Sequence, residues 1–288
     1  MKNLVKNFSL IVITLAVAGF AVSYKSNVPK EQEVTVKEQK VDRKVAVQAY
    51  SFKEFTFFEA VDKTVEAGAP YIEAYSGQII GGEFEGKTHF TMDQETRDII
   101  KKKLNDAGVK LVCYGVISGI DEAEGWDKVF EFAADMGIEV ITAEPDIAHL
   151  DYIGTLCDKY EINIAIHNHP TPSFYWDPEV ILAAIKDKSD RIGACADIGH
   201  WARSGLDPVE CLKKLEGHII SSHYKDMNLM NDLEAYTVIF GEGVLDMPAI
   251  LAELDRQNFD GVYTIEYEHN WMNSVPDIKK CVEYLNSH

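Results

Sequence analysis

Eight times along the chain, a short apolar run rich in β-branched or aromatic residues is followed by a stretch with helical periodicity, and few folds accept that order. The runs read VAVQAYS from Val45, YIEAYSG from Tyr71, KLVCYGVIS from Lys110, EVITAEP from Glu139, INIAIHNHP from Ile162, IGACADIGH from Ile192, HIISSHYKD from His218 and VYTIEYE from Val262. Strict alternation of strand and helix patterns calls for a parallel sheet. Eight units close naturally into a single (β/α)8 TIM barrel over residues 44–288, its interior filled by layers of side chains. A doubly wound open sheet is the alternative, because periodicity alone does not count closure.

The intervals between runs carry helix signals. ETRDIIKKKLNDAG and KVFEFAADMG end on Gly108 and Gly137, the expected stops. Asp177-Pro178 and Asp207-Pro208 each place a capping carboxylate before a proline suited to a first helical turn.

Ahead of the barrel, Lys2 and Lys6 precede an uncharged apolar run from Leu10 to Val22, with small residues at Ala21 and Ser23. The run is short for a bilayer span, so the expectation is a Sec signal peptide over 1–23 and a periplasmic or secreted protein, with an uncleaved anchor as the rival. Residues 24–43 are polar and charged and read as a linker. The net charge of −19 at pH 7 opposes binding to nucleic acid or anionic lipid. The five cysteines, Cys113, Cys157, Cys195, Cys211 and Cys281, sit in apolar stretches without zinc or redox spacing and read as small buried hydrophobes.

Barrel enzymes build their sites at the C-terminal ends of strands, and here polar residues collect there. Glu144 ends the fourth run, His167 and His169 the fifth, Asp197 and His200 the sixth, His223 and Asp226 the seventh, and Glu266 and Glu268 the eighth. One such residue is ordinarily a satisfied structural group; four successive strands ending this way are not. Carboxylates and imidazoles converging from different strands make a mixed oxygen and nitrogen ligand set suited to one catalytic divalent ion, Mn2+, Co2+ or Zn2+. Trp176, in the Phe174-Tyr175-Trp176 run, and Arg203, beside Trp201, offer flat faces and a hydrogen-bonding fork for carbohydrate.

On ADIGHWARSGLDP from Ala196, SSHYKD from Ser221, FGEGVLDM from Phe240 and TIEYE from Thr264, the chain resembles the sugar phosphate isomerase/epimerase group of the xylose isomerase-like barrel superfamily. The resemblance implies metal ligands at His167, Asp197, His223 and Glu266. It implies a substrate-binding or proton-relaying role for His200, and a substrate-side role for His169 and for Lys225 of the Lys225-Asp226 pair. In ketose 3-epimerases of this superfamily the fifth-strand ligand is a Glu; here His167 fills that place. The His-x-His is more similar to inosose dehydratases, and two-base epimerisation then needs Glu144 as the second carboxylate.

The expected activity is that of a metal-dependent isomerase or epimerase acting on a small sugar or keto-sugar, with Glu266 or Glu144 removing a proton next to a metal-polarised carbonyl and His200 assisting. A dehydratase or lyase on 3-keto sugars or keto-inositols is the alternative, and a non-catalytic sugar-binding module a third. A nucleotide is not expected: GGEFEGKT from Gly81 fits a phosphate-loop pattern, but Glu83 and Glu85 would face the anion and no helix begins before about Asp93. Gly241-Glu242-Gly243 reads as a tight loop rather than a phosphate cradle. Homo-oligomerisation is left open.

Overall fold

The structure, a computed structural model, describes residues 43–288. The expected signal peptide and all but the last residue of the expected linker lie outside the described residues. That last residue, Arg43, belongs with the barrel: it is buried, and its Nη2 donates to both oxygens of Asp255 at 2.9 and 2.8 Å.

All eight expected strands form. They are β1 (Lys44–Gln48), β2 (Tyr71–Ala74), β3 (Lys110–Ile117), β4 (Val140–Ala143), β5 (Asn163–His167), β6 (Ile192–Asp197), β7 (Ile219–Tyr224) and β8 (Val262–Ile265). Each pairs in parallel with its neighbours in sequence, and β8 pairs with β1 to close the barrel. The open-sheet alternative is thereby excluded.

Side chains in a strand alternate between faces, and the alternation separates two cores. Val45, Val47, Ile72, Ile141, Ile164, Ile166 and Ile265 point outward and pack with the helices. Ala46, Cys113, Val140, Ala165, Cys195 and Val262 point inward and form a compact layer of mostly small residues. Full burial of each larger aliphatic side chain contributes about 1.5–3 kcal/mol. Two residues further along the same strands the inward positions turn polar: Gln48, Thr142, His167, Asp197 and Thr264, all buried.

Surrounding helices begin and end as their signals require. Helix α1 (Phe57–Ala67) opens on a Thr56–Glu59 capping box. Helices α2 (Gln94–Ala107) and α3 (Trp126–Met136) stop at Gly108 and Gly137, whose φ of 69° and 71° suit a residue without Cβ. Helix α4 (Leu150–Tyr160) leads into β5. Helices α5 (Pro178–Ile185) and α7 (Pro208–Lys214) are capped by Asp177 and Asp207, and the short α6 (Ile198–Arg203) lies between them. Helices α8 (Met247–Arg256) and α9 (Val275–Ser287) complete the ring.

GGEFEGKT falls on a hairpin pairing Ile79–Gly81 with Phe84–Lys87, with no helix following until Gln94. That leaves its amides without the helix terminus a phosphate loop needs. All five cysteines are free and buried. No helix among the described residues is long and apolar enough to cross a membrane.

Candidate metal and substrate site

Period-two alternation places the last inward residue of four consecutive strands at the barrel mouth. His167 ends β5, Asp197 ends β6, His223 lies in β7 and Glu266 follows β8; all four are buried, and one ligand atom from each lies within 4.8 Å of the others. Local structure fixes Asp197 firmly. Its carboxylate caps α6 by accepting from His200 N at 2.8 Å, and its backbone is clamped by Asn168, which exchanges two hydrogen bonds of 2.9 Å with Asp197 N and O.

The donor chemistry of the two imidazoles fits a cation. His167 presents Nδ1 to Glu144 Oε1 at 3.2 Å and turns Nε2 toward Asp197 Oδ2 at 3.4 Å. His223 presents Nε2 to Glu73 Oε2 at 3.1 Å, while its buried Nδ1 has no hydrogen-bond partner and faces Glu266 Oε2 at 3.0 Å. A metal-binding imidazole commonly has a carboxylate behind it, as both have here.

Glu144, expected as a possible second base, is committed elsewhere. Its Oε1 also contacts His169 Nδ1, and its Oε2 accepts from Ser173 Oγ at 3.4 Å. Burial pushes this carboxyl up, but hydrogen bonds from His167 and His169 outweigh it and bring it down to about 2. The pair leaves the half-exposed His169 ring backed by a carboxylate and facing the cavity.

A second network surrounds Lys225. Its Nζ lies 2.9 Å from Asp197 Oδ2, 2.8 Å from Glu266 Oε2 and 3.2 Å from both Glu268 Oε1 and His200 Nε2. Burial lowers the ammonium pKa, but the carboxylates of Asp197, Glu266 and Glu268 outweigh burial and raise it, so Lys225 is a cation. Burial, with Lys225, His167 and Arg203 close by, drives His200 well below the usual range against the pull of Asp197, so its ring is neutral.

Three expected substrate contacts stand differently in the structure. Lys225 is buried among the carboxylates rather than facing the cavity. Arg203 is taken up by protein: Nε donates to Ala235 O at 3.0 Å, Nη2 to Glu268 at 2.8 Å, and Nη1 lies 3.1 Å from His200 Nδ1. Trp176 is half-buried and stands outside the cavity wall, while its relative Trp201 is a core residue.

The cavity at the mouth has a volume of about 320 Å³, which suits a small polar ligand. It is lined by His167, His169, His200, Glu266 and Glu268, which come from or follow β5, β6 and β8, and by Gln48, Tyr50, Tyr75, Ser76, Gly115 and Val116, which come from or follow β1 to β3. Tyr50 packs edge-on against Tyr75 and Trp271 at 5.3 and 5.8 Å, giving the aromatic wall that the sequence reading had placed after β5. Asp226 lies outside this site. It accepts from the backbone N–H groups of Met227, Gly241, Gly243 and Leu245 at 2.8–3.2 Å, and a Cβ on Gly243 would meet its Oδ1 at 2.1 Å. Gly241-Glu242-Gly243 is therefore the tight loop expected, wrapped around a carboxylate.

The family model described as xylose isomerase-like TIM barrel matches residues 61–288. The chain belongs to this family. Within it, the chain is 26% identical over 155 residues to an inosose dehydratase of Mesomycoplasma hyopneumoniae strain 7448, a match covering 48% of this chain and 52% of that one. The chain thus spans about half the length of the curated relatives it matches. A crystal structure of a protein from Parabacteroides distasonis ATCC 8503 is similar with a TM-score of 0.70 and 36% identity, covering 86% of this chain and 99% of that chain. A D-tagatose 3-epimerase-like protein has a TM-score of 0.66 at 20% identity, covering 85% and 98%, which is likeness of fold. The family is one of enzymes, and two of these relatives are named for different reactions, one a dehydratase and one epimerase-like.

Proposed function

We propose that this family member is a divalent-metal-dependent carbon–oxygen lyase that removes water from a small keto-sugar or keto-inositol. The observation that carries the reading is the Glu144–His169 pair, which puts an imidazole, not a second free carboxylate, in the wall of the cavity that Glu266 also lines. His167, Asp197, His223 and Glu266 would hold the ion. A divalent ion held there would supply Lewis acidity toward a substrate carbonyl, making the neighbouring C–H acidic.

The free oxygen of Glu266 takes that proton, and the C–H pair becomes the new double bond. His169 in its protonated form, steadied by Glu144, hands its proton to the β-hydroxyl, whose C–O bond breaks and which leaves as water. Lys225, held cationic, keeps Asp197 and Glu266 ionised. Neutral His200 hydrogen-bonds substrate at the cavity wall, and the Tyr50–Tyr75 face stacks against its apolar side. Both Glu144 oxygens accept hydrogen bonds from protein groups, which favours elimination over two-carboxylate epimerisation.

NMR of keto-inositols and keto-sugars incubated with the Mn2+-loaded protein in D2O tests this reading. Dehydrated product is expected. Epimer formation with solvent deuterium and no elimination would move the assignment to an isomerase, and neither product would overturn both. The reading also places the protein outside the cytoplasm, which rests on the Leu10–Val22 run. Intact mass of envelope protein should show loss of roughly the first 23 residues; a full-length cytoplasmic product contradicts export.

A further inference from the structure

Glu73 is a fully buried carboxylate inside the barrel that takes no part in the proton transfers above. A buried charge persists only where partners satisfy it. Thr142 Oγ1 of β4 donates to its Oε1 at 2.7 Å, and Thr264 Oγ1 of β8 donates to its Oε2 at 2.9 Å. The third partner is His223 Nε2 of β7, 3.1 Å from Oε2. The two hydroxyls pin both oxygens, so the carboxylate is held against the imidazole rather than free to turn away.

A neutral imidazole has one N–H and one lone pair. In that form, which a metal ligand must take, an acceptor fixed at Nε2 keeps the hydrogen there and leaves the lone pair at Nδ1. That atom is buried, has no hydrogen-bond partner, and lies 3.0 Å from Glu266 Oε2 and 3.8 Å from Asp197 Oδ2. We infer that Glu73 is a positioning residue: acting through His223, it selects the tautomer that offers Nδ1 to a divalent cation and makes that nitrogen a better donor. The inference rests on the metal reading proposed above.

Isothermal titration with Mn2+, run beside thermal unfolding in EDTA, tests it on wild type, Glu73→Met, Glu73→Gln and His223→Ala. Glu73→Met should weaken Mn2+ binding by about 10- to 100-fold. Glu73→Gln, whose amide oxygen still accepts from Nε2–H, should lose less, and its metal-free melting temperature should stay near wild type. A purely structural role gives the reverse, a lower metal-free melting temperature with unchanged Mn2+ affinity, and overturns the inference. If Glu73→Met does not fold, Glu73→Gln decides, and wild-type affinity in it overturns the inference. Loss of binding in His223→Ala but in neither Glu73 variant overturns this inference alone. A wild-type protein that binds no Mn2+ overturns the metal reading and this inference with it.

Discussion

The two halves of the barrel mouth are built from the same kind of strand yet do different things. Strands β5 to β8 end in His167, Asp197, His223 and Glu266, a ring of ionisable groups drawn tightly together. Strands β1 to β3 end in Gln48, Tyr50, Tyr75, Ser76 and Gly115, which are neutral and leave open space. One residue pair lower on the strands, small apolar residues such as Ala46, Cys113, Ala165 and Cys195 line both halves, with Glu73 of β2 as the charged exception. Under the proposed function the difference is a division of labour, with the charged half supplying the chemistry and the neutral half shaping the substrate's place.

Breaking the charged half should have the largest effect. Asp197→Ala should lower turnover by about 10³-fold or more, the scale of losing a Lewis acid worth several kcal/mol, measured as kcat with saturating metal. His169→Asn should come next. It should slow water loss by roughly 10²–10⁴-fold while exchange of the acidic C–H with D2O continues, because it removes the acid and leaves Glu266; equal loss of exchange and elimination would make His169 the base instead.

Glu144 gives a pH signature in the metal-free protein. Its carboxyl is brought down to about 2 by His167 and His169, below the roughly 4.3 of an unfolded chain. A depressed carboxylate stabilises the fold fully above its unfolded pKa, and that contribution fades as pH falls from about 4.5 to about 2. Glu144→Gln should flatten the fall of melting temperature over that window in EDTA; an unchanged slope would detach Glu144 from the histidines.

The neutral half should respond more gently. Tyr50→Ala should raise KM about two- to tenfold with a smaller change in kcat, as removal of a stacking face does. Trp176→Ala, outside the wall, should leave both constants unchanged, and a raised KM there would restore the aromatic run after β5 as a substrate contact.

What was legible in the sequence follows the same division. All eight strands could be read because β-branched runs alternate with capped helices, and Gly108, Gly137, Asp177 and Asp207 marked helix ends. The charged half could be read because a polar residue at the end of an apolar strand has few reasons to be there. The neutral half could not, since Tyr50 and Tyr75 are ordinary strand residues until the barrel closes. Composition alone could not tell that Trp201 is a core residue, that Trp176 stands outside the cavity lining, or that Arg203 is held by Glu268 and Ala235. Glu73 was missed although it carried a signal: a carboxylate between Ile72 and Ala74 in a strand buried on both faces must have a partner. That partner, His223, lies 150 residues away and emerges only from barrel register.

The central claim, that the charged half holds one divalent ion, is tested most directly by native mass spectrometry of protein exchanged into Mn2+ and freed of excess. The account predicts about one ion per wild-type chain and none in folded Asp197→Ala or His223→Ala. A wild-type chain that stays metal-free, or variants that keep a full ion, would contradict it.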